Sequence, residues 1–404
     1  MLRRRWSSGS VALAILLATV GLSACDRDES GTGTVRIGVI APLSGPLNAS
    51  GLGIRNAVDL AVRQANEQGK LQGWKLTLAA EDDTAVPDVG ANAATRLSDD
   101  RSVVAVVGTV NSSVAERAAP ILDHRKVVMI SPANTDPTLT RGKEPGSRVR
   151  PFQYYFRVAA TDLAHGPFAA NFAYQTGKRN VAVIHDKTTY GQGLALQFKA
   201  QLERLGGRVP TTETVDPEET DFSTVLSRVK KLNPDLIYFG GEHPAGSRLT
   251  SQAEQQGIKA PLMGGYGIFD PTYINLAREA AEGDFATAVS AATEQLPMAR
   301  SFIDAYRAAG YADPYSAYGA YAYDAANVII AALAEVLPDG GRISDDVRVR
   351  LRQAVQDGTI DGATGRVAFD RYGDRTTPVL TVYRVAKDAA GLLAWKPEET
   401  KEFH

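Results

Sequence analysis

The chain has 404 residues, of which 44% are hydrophobic, with a formal net charge of −2 and a single cysteine. That length exceeds what one hydrophobic core usually organises, so at least two lobes are expected. The charges alternate in sign without long runs, which argues against nucleic acid or an acidic membrane surface as the main partner, and a lone thiol excludes an internal disulfide.

Residues 1–24 read as an export signal. Arg3, Arg4 and Arg5 precede an apolar run, residues 11–20, that is short for a membrane span, and small residues follow. Leu22-Ser23-Ala24-Cys25 resembles the lipobox of bacterial lipoproteins, which implies cleavage before Cys25 and its lipidation. A chance cysteine at an ordinary cleavage site is the alternative, but it would leave an odd thiol in an oxidising compartment. Asp26 resembles the inner-membrane retention signal of Gram-negative lipoproteins, and residues 25–34, polar and glycine-rich, read as a flexible tether.

Strand and helix patterns then alternate. "VRIGVIAPL" is a strand, "GIRNAVDLAVRQANEQG" a helix stopping at Gly69, and "WKLTLAAEDD" a strand; "VVAVVGT", "SSVAERAAPILDHR" and "VVMISPA" repeat the cycle. A second series starts near residue 163. It reads helix "LAHGPFAANFAYQTG", strand "NVAVIHD", helix "GQGLALQFKAQLERLGG", strand "RVPTTETV", helix "FSTVLSRVKKL" and strand "DLIYFGG". Later come "PLMGGYG", "DFATAVS", a helical stretch from Tyr315 to Leu337, the helix "DDVRVRLRQAVQDG" and the strand "VLTVYRV". Continuous apolar strands alternating with amphipathic helices imply parallel sheets covered on both faces, and two such series imply two α/β lobes. No linker is marked by composition, which suggests lobes interleaved in sequence.

Open α/β sheets bind ligands beyond the carboxyl ends of their strands, often at helix N-termini. Those places are "GTVNSS", "SPANT", "HDKTTYG", "GGEHP" and "GGYG". Ser112 and Ser113 suit N-caps, and Thr135 suits a turn, but two hydroxyl-bearing loops after successive strands of one lobe could also receive a carboxylate. Enzyme signatures are weak. "GLGIRN" has Asn56 in place of a third fingerprint glycine; there is no P-loop, nucleophile elbow or zinc-protease helix, and the histidines are scattered. Glu81-Asp82-Asp83 is the best acid cluster, more simply a turn with caps. Tyr315, Tyr318, Tyr321 and Tyr323 are expected to lie mostly on one helical side as packing residues.

The blocks "IGVIAPLSGPLNASG", "AVVGTVNSSVAERAAPIL", "ISPANTDPTLT", "FRVAATDLAHGP", "VAVIHDKTTYGQGLA", "TDFSTVLSRVKKLNPDLIYFGG" and "AEG" follow the order found in leucine/isoleucine/valine-binding proteins of ABC importers, which the chain resembles over about residues 35–386. The resemblance implies a type I periplasmic-binding-protein fold, two doubly wound parallel-sheet lobes joined by a three-strand hinge. The lobes would be residues 35–159 plus 288–368 and residues 160–287 plus 369–398. It also implies an extracytoplasmic receptor, neither an enzyme nor a cofactor protein, that closes on a small ligand and delivers it to a membrane permease. By position, Val110, Asn111, Ser112, Ala133 and Thr135 would hold an amino acid's carboxylate and part of its ammonium. Tyr190 would pack on the ligand from the second lobe, and Tyr318 would line the side-chain pocket.

Three departures bear on the substrate. Tyr266 stands where branched-chain binders have the glutamate that pairs with the ligand ammonium, and Glu242 where they have a tyrosine. A carboxylate thus remains, on another loop. Ser50 replaces a pocket aromatic, and Ala85 and Asn111 stand at the places of a cysteine pair bridged in some members. An amino-acid ligand is the favoured expectation. Amide, urea or aromatic-acid ligands, a ligand-sensing domain of a signalling system and a hydrolase built on the same lobes are the alternatives.

Overall fold

The computed structural model describes residues 33–143, 149–288, 293–338 and 343–403, so residues 1–32, with the expected signal and Cys25, lie outside the described residues, while Gly33 and Thr34, expected in the tether, open the first strand. Five parallel strands form the first sheet: β1 (Gly33–Ala41), β2 (Trp74–Asp82), β3 (Val103–Gly108), β4 (Val128–Ser131) and β5 (Tyr155–Arg157), in the order β2-β1-β3-β4-β5. The second sheet has the order β14-β13-β10-β9-β8-β6-β7. Its parallel part is β6 (Asn180–His185), β7 (Arg208–Thr214), β8 (Leu236–Gly240), β9 (Leu262–Gly264) and β10 (Phe285–Ala288). A small hairpin, β11 (Ile360–Gly362) with β12 (Gly365–Val367), stands apart, and β13 (Val379–Lys387) and β14 (Leu393–Glu402) extend the second sheet in antiparallel sense.

The helices cover both sheets: α1 (Asn48–Glu67), α2 (Pro87–Asp99), α3 (Ser112–His124) and the short α4 (Thr138–Arg141) with the first, then α5 (Asp162–Gln175), α6 (Thr189–Arg204), α7 (Ser223–Lys231), α8 (His243–Gln255) and α9 (Pro271–Ala277) with the second. Next come α10 (Arg300–Ala308), α11 (Gly319–Val336) and α12 (Asp345–Asp357); α11 packs on α1 and α12. Every residue of β3 is buried, which is why "VVAVVG" reads as an unbroken apolar run: in a parallel sheet both faces are covered. The edge strand β7 instead alternates exposed and half-buried residues.

The chain passes between the sheets three times, after β5, after β10 and between β12 and β13. Both sheets share one winding, so each has its switch point beside its first strand: between β1 and β3, and between β6 and β8. Crevices form at such points, where neighbouring loops leave the sheet to opposite faces.

Several local expectations change. The cap position of α3 is Asn111, with no side-chain cap bond, and Ser112 is its first helical residue. Tyr315 and Tyr318 precede α11, with Ser316 between them at a φ of 55°, so the tyrosines do not form one helical stripe. The second sheet is not wholly parallel, and β14 runs past residue 398. Its polar sequence and Pro397 hid it; Pro397 pairs with Tyr383 next to a register shift on an edge strand, where its missing N–H is tolerated. The three-residue β5 and the Ala-rich α2 lacked a readable period.

Candidate functional site

The first-lobe side is built by the loops after β3 and β4, and their hydrogen bonds are made within the protein. Asn134 donates from Nδ2 to the carbonyls of Val110 at 2.9 Å and Thr109 at 3.1 Å, while its Oδ1 accepts from the Tyr155 hydroxyl at 3.1 Å. Ser131 Oγ accepts from the N–H groups of Ala133 and Asn134. Behind them Arg157, fully buried, donates to the carbonyls of Asn134 and Asp136, to Thr140 Oγ1 at 2.6 Å, and to Asp374 at 2.8 Å. This network clamps Val110, Asn111, Ser112, Ala133 and Thr135 in one cluster, all but Asn111 buried. Ser112 Oγ takes only a long 3.5 Å bond from the Asp136 N–H, and Thr135 Oγ1 and Asn111 Oδ1 make none. The first N–H groups of α3, which have no intrahelical acceptor, lie at the same place. Two hydroxyls and a helix N-terminus therefore remain able to bind an anion, while the Asn111 Oδ1 is an open acceptor.

The second-lobe side has the opposite character. Glu242 occupies the cap position of α8 without a cap bond, half-buried, with Asp186 and Asp270 as neighbours. Burial, reinforced by those two charges, pushes its carboxyl up to about 8. Tyr190, in the first turn of α6, accepts the Gly267 N–H at 2.9 Å, and Glu242 raises its pKa further after burial itself. A side chain at Gly267 would lie 2.6 Å from the Gly241 carbonyl and 2.9 Å from Glu242 Oε2, so only glycine lets the "GGYG" loop approach this closely. Tyr266 turns its hydroxyl to the Ala317 carbonyl and meets Tyr318 edge-on at 4.5 Å between centroids. Tyr318 in turn feels the charge of Glu242 and the Tyr190 hydroxyl. Glu242, Tyr190, Tyr266 and Tyr318 are thus brought together.

Asp162, the first residue of α5, escaped the sequence reading. It is fully buried, neither oxygen has a well-formed hydrogen bond, and burial pushes it up to about 7 although Thr135 lies close enough to oppose the rise. Its charge is also felt by Tyr190 and by the buried, unpartnered hydroxyl of Tyr238. Asp162 therefore links Thr135 on one side to Tyr190 on the other. The signal available was "TD" opening a helix, which reads as a cap and nothing more. Asp186, also buried with a raised carboxyl, and Asp270 were visible only as strand-end and helix-start residues.

A second bridge between the sheets' helices joins Thr189 Oγ1 to Glu116 at 3.0 Å. Ser50 is buried in the first turn of α1, and Ala85 sits in the turn after β2 at a φ of 60°. Among the described residues there is no cluster of metal-ligating side chains, and no helix is long and apolar enough to cross a membrane.

Comparison with known proteins agrees with this architecture. Over 382 residues the chain is 31% identical to the leucine-, isoleucine-, valine-, threonine-, and alanine-binding protein of Pseudomonas aeruginosa, covering 94% of this chain and 98% of that one. A leucine-binding protein from Thermotoga maritima superposes with a TM-score of 0.79 at 28% identity, over 91% and 98% of the two chains. A solute-binding protein from R. palustris in complex with 4-hydroxybenzoate superposes at 0.78 with 22% identity, covering 91% and 97%, a likeness of fold. Residues 34–390 match the family described as periplasmic binding protein, and the chain belongs to that family.

Proposed function

We propose that this protein is the extracytoplasmic receptor of an ABC importer and that it binds an amino acid, branched-chain or otherwise hydrophobic, between two closing lobes. The observation that carries the reading is the pairing of unlike surfaces. Donors without strong partners, at Ser112, Thr135 and the start of α3, suit a carboxylate, and the unpaired carboxyls Glu242 and Asp162 suit an ammonium. Backbone groups of Val110 and Asn111 complete the anion side, and Ala133, whose N–H is given to Ser131 Oγ, offers its carbonyl to the ammonium. Tyr190, Tyr266 and Tyr318 enclose the apolar part of the ligand. The two sheets favour two lobes, residues 35–159 plus 288–368 and residues 160–287 plus 369–398, although Ala288 ends a strand of the second sheet and Asp370 and Asp374 pair with Arg141 and Arg157 of the first lobe.

Names of relatives bear in the same direction, since the Pseudomonas and Thermotoga proteins are described as binding leucine. The family name implies an extracytoplasmic place and a binding, not catalytic, role. Anchoring through lipidated Cys25 and hand-over to a membrane permease belong to the same proposal, and no cofactor is needed for it. One observation favours an aromatic-acid or amide ligand instead: a Glu242 carboxyl that holds its proton near neutral pH can donate a hydrogen bond to a ligand without an ammonium.

Thermal denaturation of the mature chain against amino acids, amides, urea and aromatic acids separates these, because a ligand that binds only the folded state raises Tm by mass action. Shifts with zwitterionic amino acids are expected. Shifts only with ammonium-free compounds would overturn the assignment to Glu242 and keep the receptor.

A further inference from the structure

The candidate site lies at the carboxyl ends of β3 and β4; at the opposite ends of the first sheet, folding gathers cations that are scattered in sequence. Gly33 pairs with Trp74 and donates to the Gly73 carbonyl, and the Arg36 N–H reaches the Ser102 carbonyl. The start of β1, the turn before β2 and the turns leading into β3 and β4 therefore share one pole. A recess of about 350 Å³ there is lined by Arg101, His124, Arg125, Lys126 and Arg348, with Asp99 beside them. Part of this charge has a local use. Arg348 donates to the carbonyls of Asp100, Val103 and Arg125, Arg125 pairs with Asp99 at 2.9 Å, and Arg36 with Asp100 at 2.8 Å. Lys70, Lys75, Arg101 and Lys126 are exposed and have no ion-pair partner among the described residues, while Glu67 and Asp123 offset some of their charge.

We propose that this basic pole of the first lobe is a docking surface for the anionic phospholipid headgroups of the membrane that holds the chain. The occupant is argued from where the chain leaves the structure. Only seven residues separate Cys25 from Gly33, so a lipid on Cys25 keeps Gly33, and the pole around it, within about 28 Å of the bilayer at full extension. A short tether makes the second contact intramolecular and raises its effective concentration. Each basic side chain near an anionic surface contributes about fivefold in binding. Docking by this pole points the candidate site, at the far ends of the same strands, away from the bilayer. The contact is weak and salt-sensitive, so it can be exchanged for one with a permease.

The choice of occupant rests on the lipid-anchor reading, so the test leaves the lipid out. The mature chain carrying Cys25→Ser is sedimented with vesicles of phosphatidylglycerol and phosphatidylcholine, and with vesicles of phosphatidylcholine alone. Binding to the anionic vesicles only is expected, lost at about 0.5 M salt, where screening lengths shrink to a few ångströms. Arg101→Glu with Lys126→Glu should weaken it by more than about tenfold and leave the Tm and its ligand-induced shift unchanged. Lys230→Glu with Lys231→Glu, exposed on α7 of the other lobe, should leave binding intact. No preference for anionic vesicles, or equal loss in both double variants, overturns the proposal. An acidic protein partner would show itself as the first of these outcomes, and failure of lipidation would leave the vesicle result as it is.

Discussion

The two sides of the candidate site solve the problem of buried polar groups in opposite ways. On the first-lobe side of the site, Asn134, Ser131, Thr109 and Arg157 give most buried donors and acceptors a partner, and what remains open is two hydroxyls, the Asn111 Oδ1 and a helix terminus. On the second lobe, Glu242 and Asp162 make no ion pair among the described residues, although the charge of Arg157 reaches Asp162, and burial pushes their carboxyls to about 8 and about 7. One side is a finished platform, and the other carries a charge mismatch that a ligand ammonium would relieve. A binding protein gains from this division. On the proposed reading the platform would fix where the ligand sits, and the mismatch would make closure depend on the ligand having the right charge.

The comparison breaks most visibly if the platform is not in fact held by its buried ion pair. Asp374→Ala leaves Arg157 charged and fully buried without its counter-ion, and a loss of about 3–5 kcal/mol in urea unfolding is expected. A loss below about 1 kcal/mol would mean that backbone carbonyls alone hold the guanidinium.

Next in size is the effect on ligand binding. Glu242→Gln should lower affinity for a zwitterionic amino acid by about 1.5–3 kcal/mol, the range for hydrogen bonds to charged groups, as read by calorimetry. Ligand-free protein should at the same time become more stable at pH 8, since a charge mismatch is removed. Unchanged affinity would move the ammonium to Asp162 alone.

The pH dependence sharpens the same contrast. A carboxyl whose pKa is raised on folding contributes stability that is full below its ordinary value and lost as pH rises through the folded one. For Glu242 the window runs from its ordinary 4.5 to about 8, and for Asp162 from 3.8 to about 7, so the ligand-free protein should weaken as pH climbs from 5 to 8. An ammonium beside them favours the charged forms. Binding at pH 7 should release protons, measurable as a heat that changes with the ionisation enthalpy of the buffer. Proton uptake or no exchange would argue for a ligand without a cation.

The smallest expected effect concerns closure. Tyr266→Phe removes the hydrogen bond to the Ala317 carbonyl and keeps the ring against Tyr318, costing the closed form about 1 kcal/mol. Small-angle scattering of the ligand-free protein should then show a more open average shape, with ligand restoring the parent's dimensions.

Particular residues show how far the sequence could be read. The loops that hold Ser112, Thr135, Tyr190 and Glu242 are legible because they follow apolar strands, a position that fixes them at the sheet's carboxyl edge, but Tyr190 and Glu242 themselves are singled out only by the family resemblance. Asp162 was missed for the same reason in reverse. Its sequence neighbourhood is that of an ordinary helix start, and its importance comes only from being packed against Thr135, Tyr190 and Tyr238 from three other segments. The strand β14 was missed because edge pairing asks little of side-chain pattern, and the tyrosine stripe failed because Ser316 breaks the helix that would have aligned it.

Composition and periodicity by themselves determined the α/β class, the two lobes and the strand ends where a ligand can bind, because burial on both faces of a parallel sheet leaves a local signature. Only the tertiary structure decided which carboxyls stay unpaired, that Tyr266 bridges to the other side of the site, and that cations scattered as Lys70, Lys75, Arg101 and Lys126 meet at one pole. Charge and hydrogen-bond balance depend on distances in space, and in an interleaved chain those distances are not encoded in spacing along the sequence.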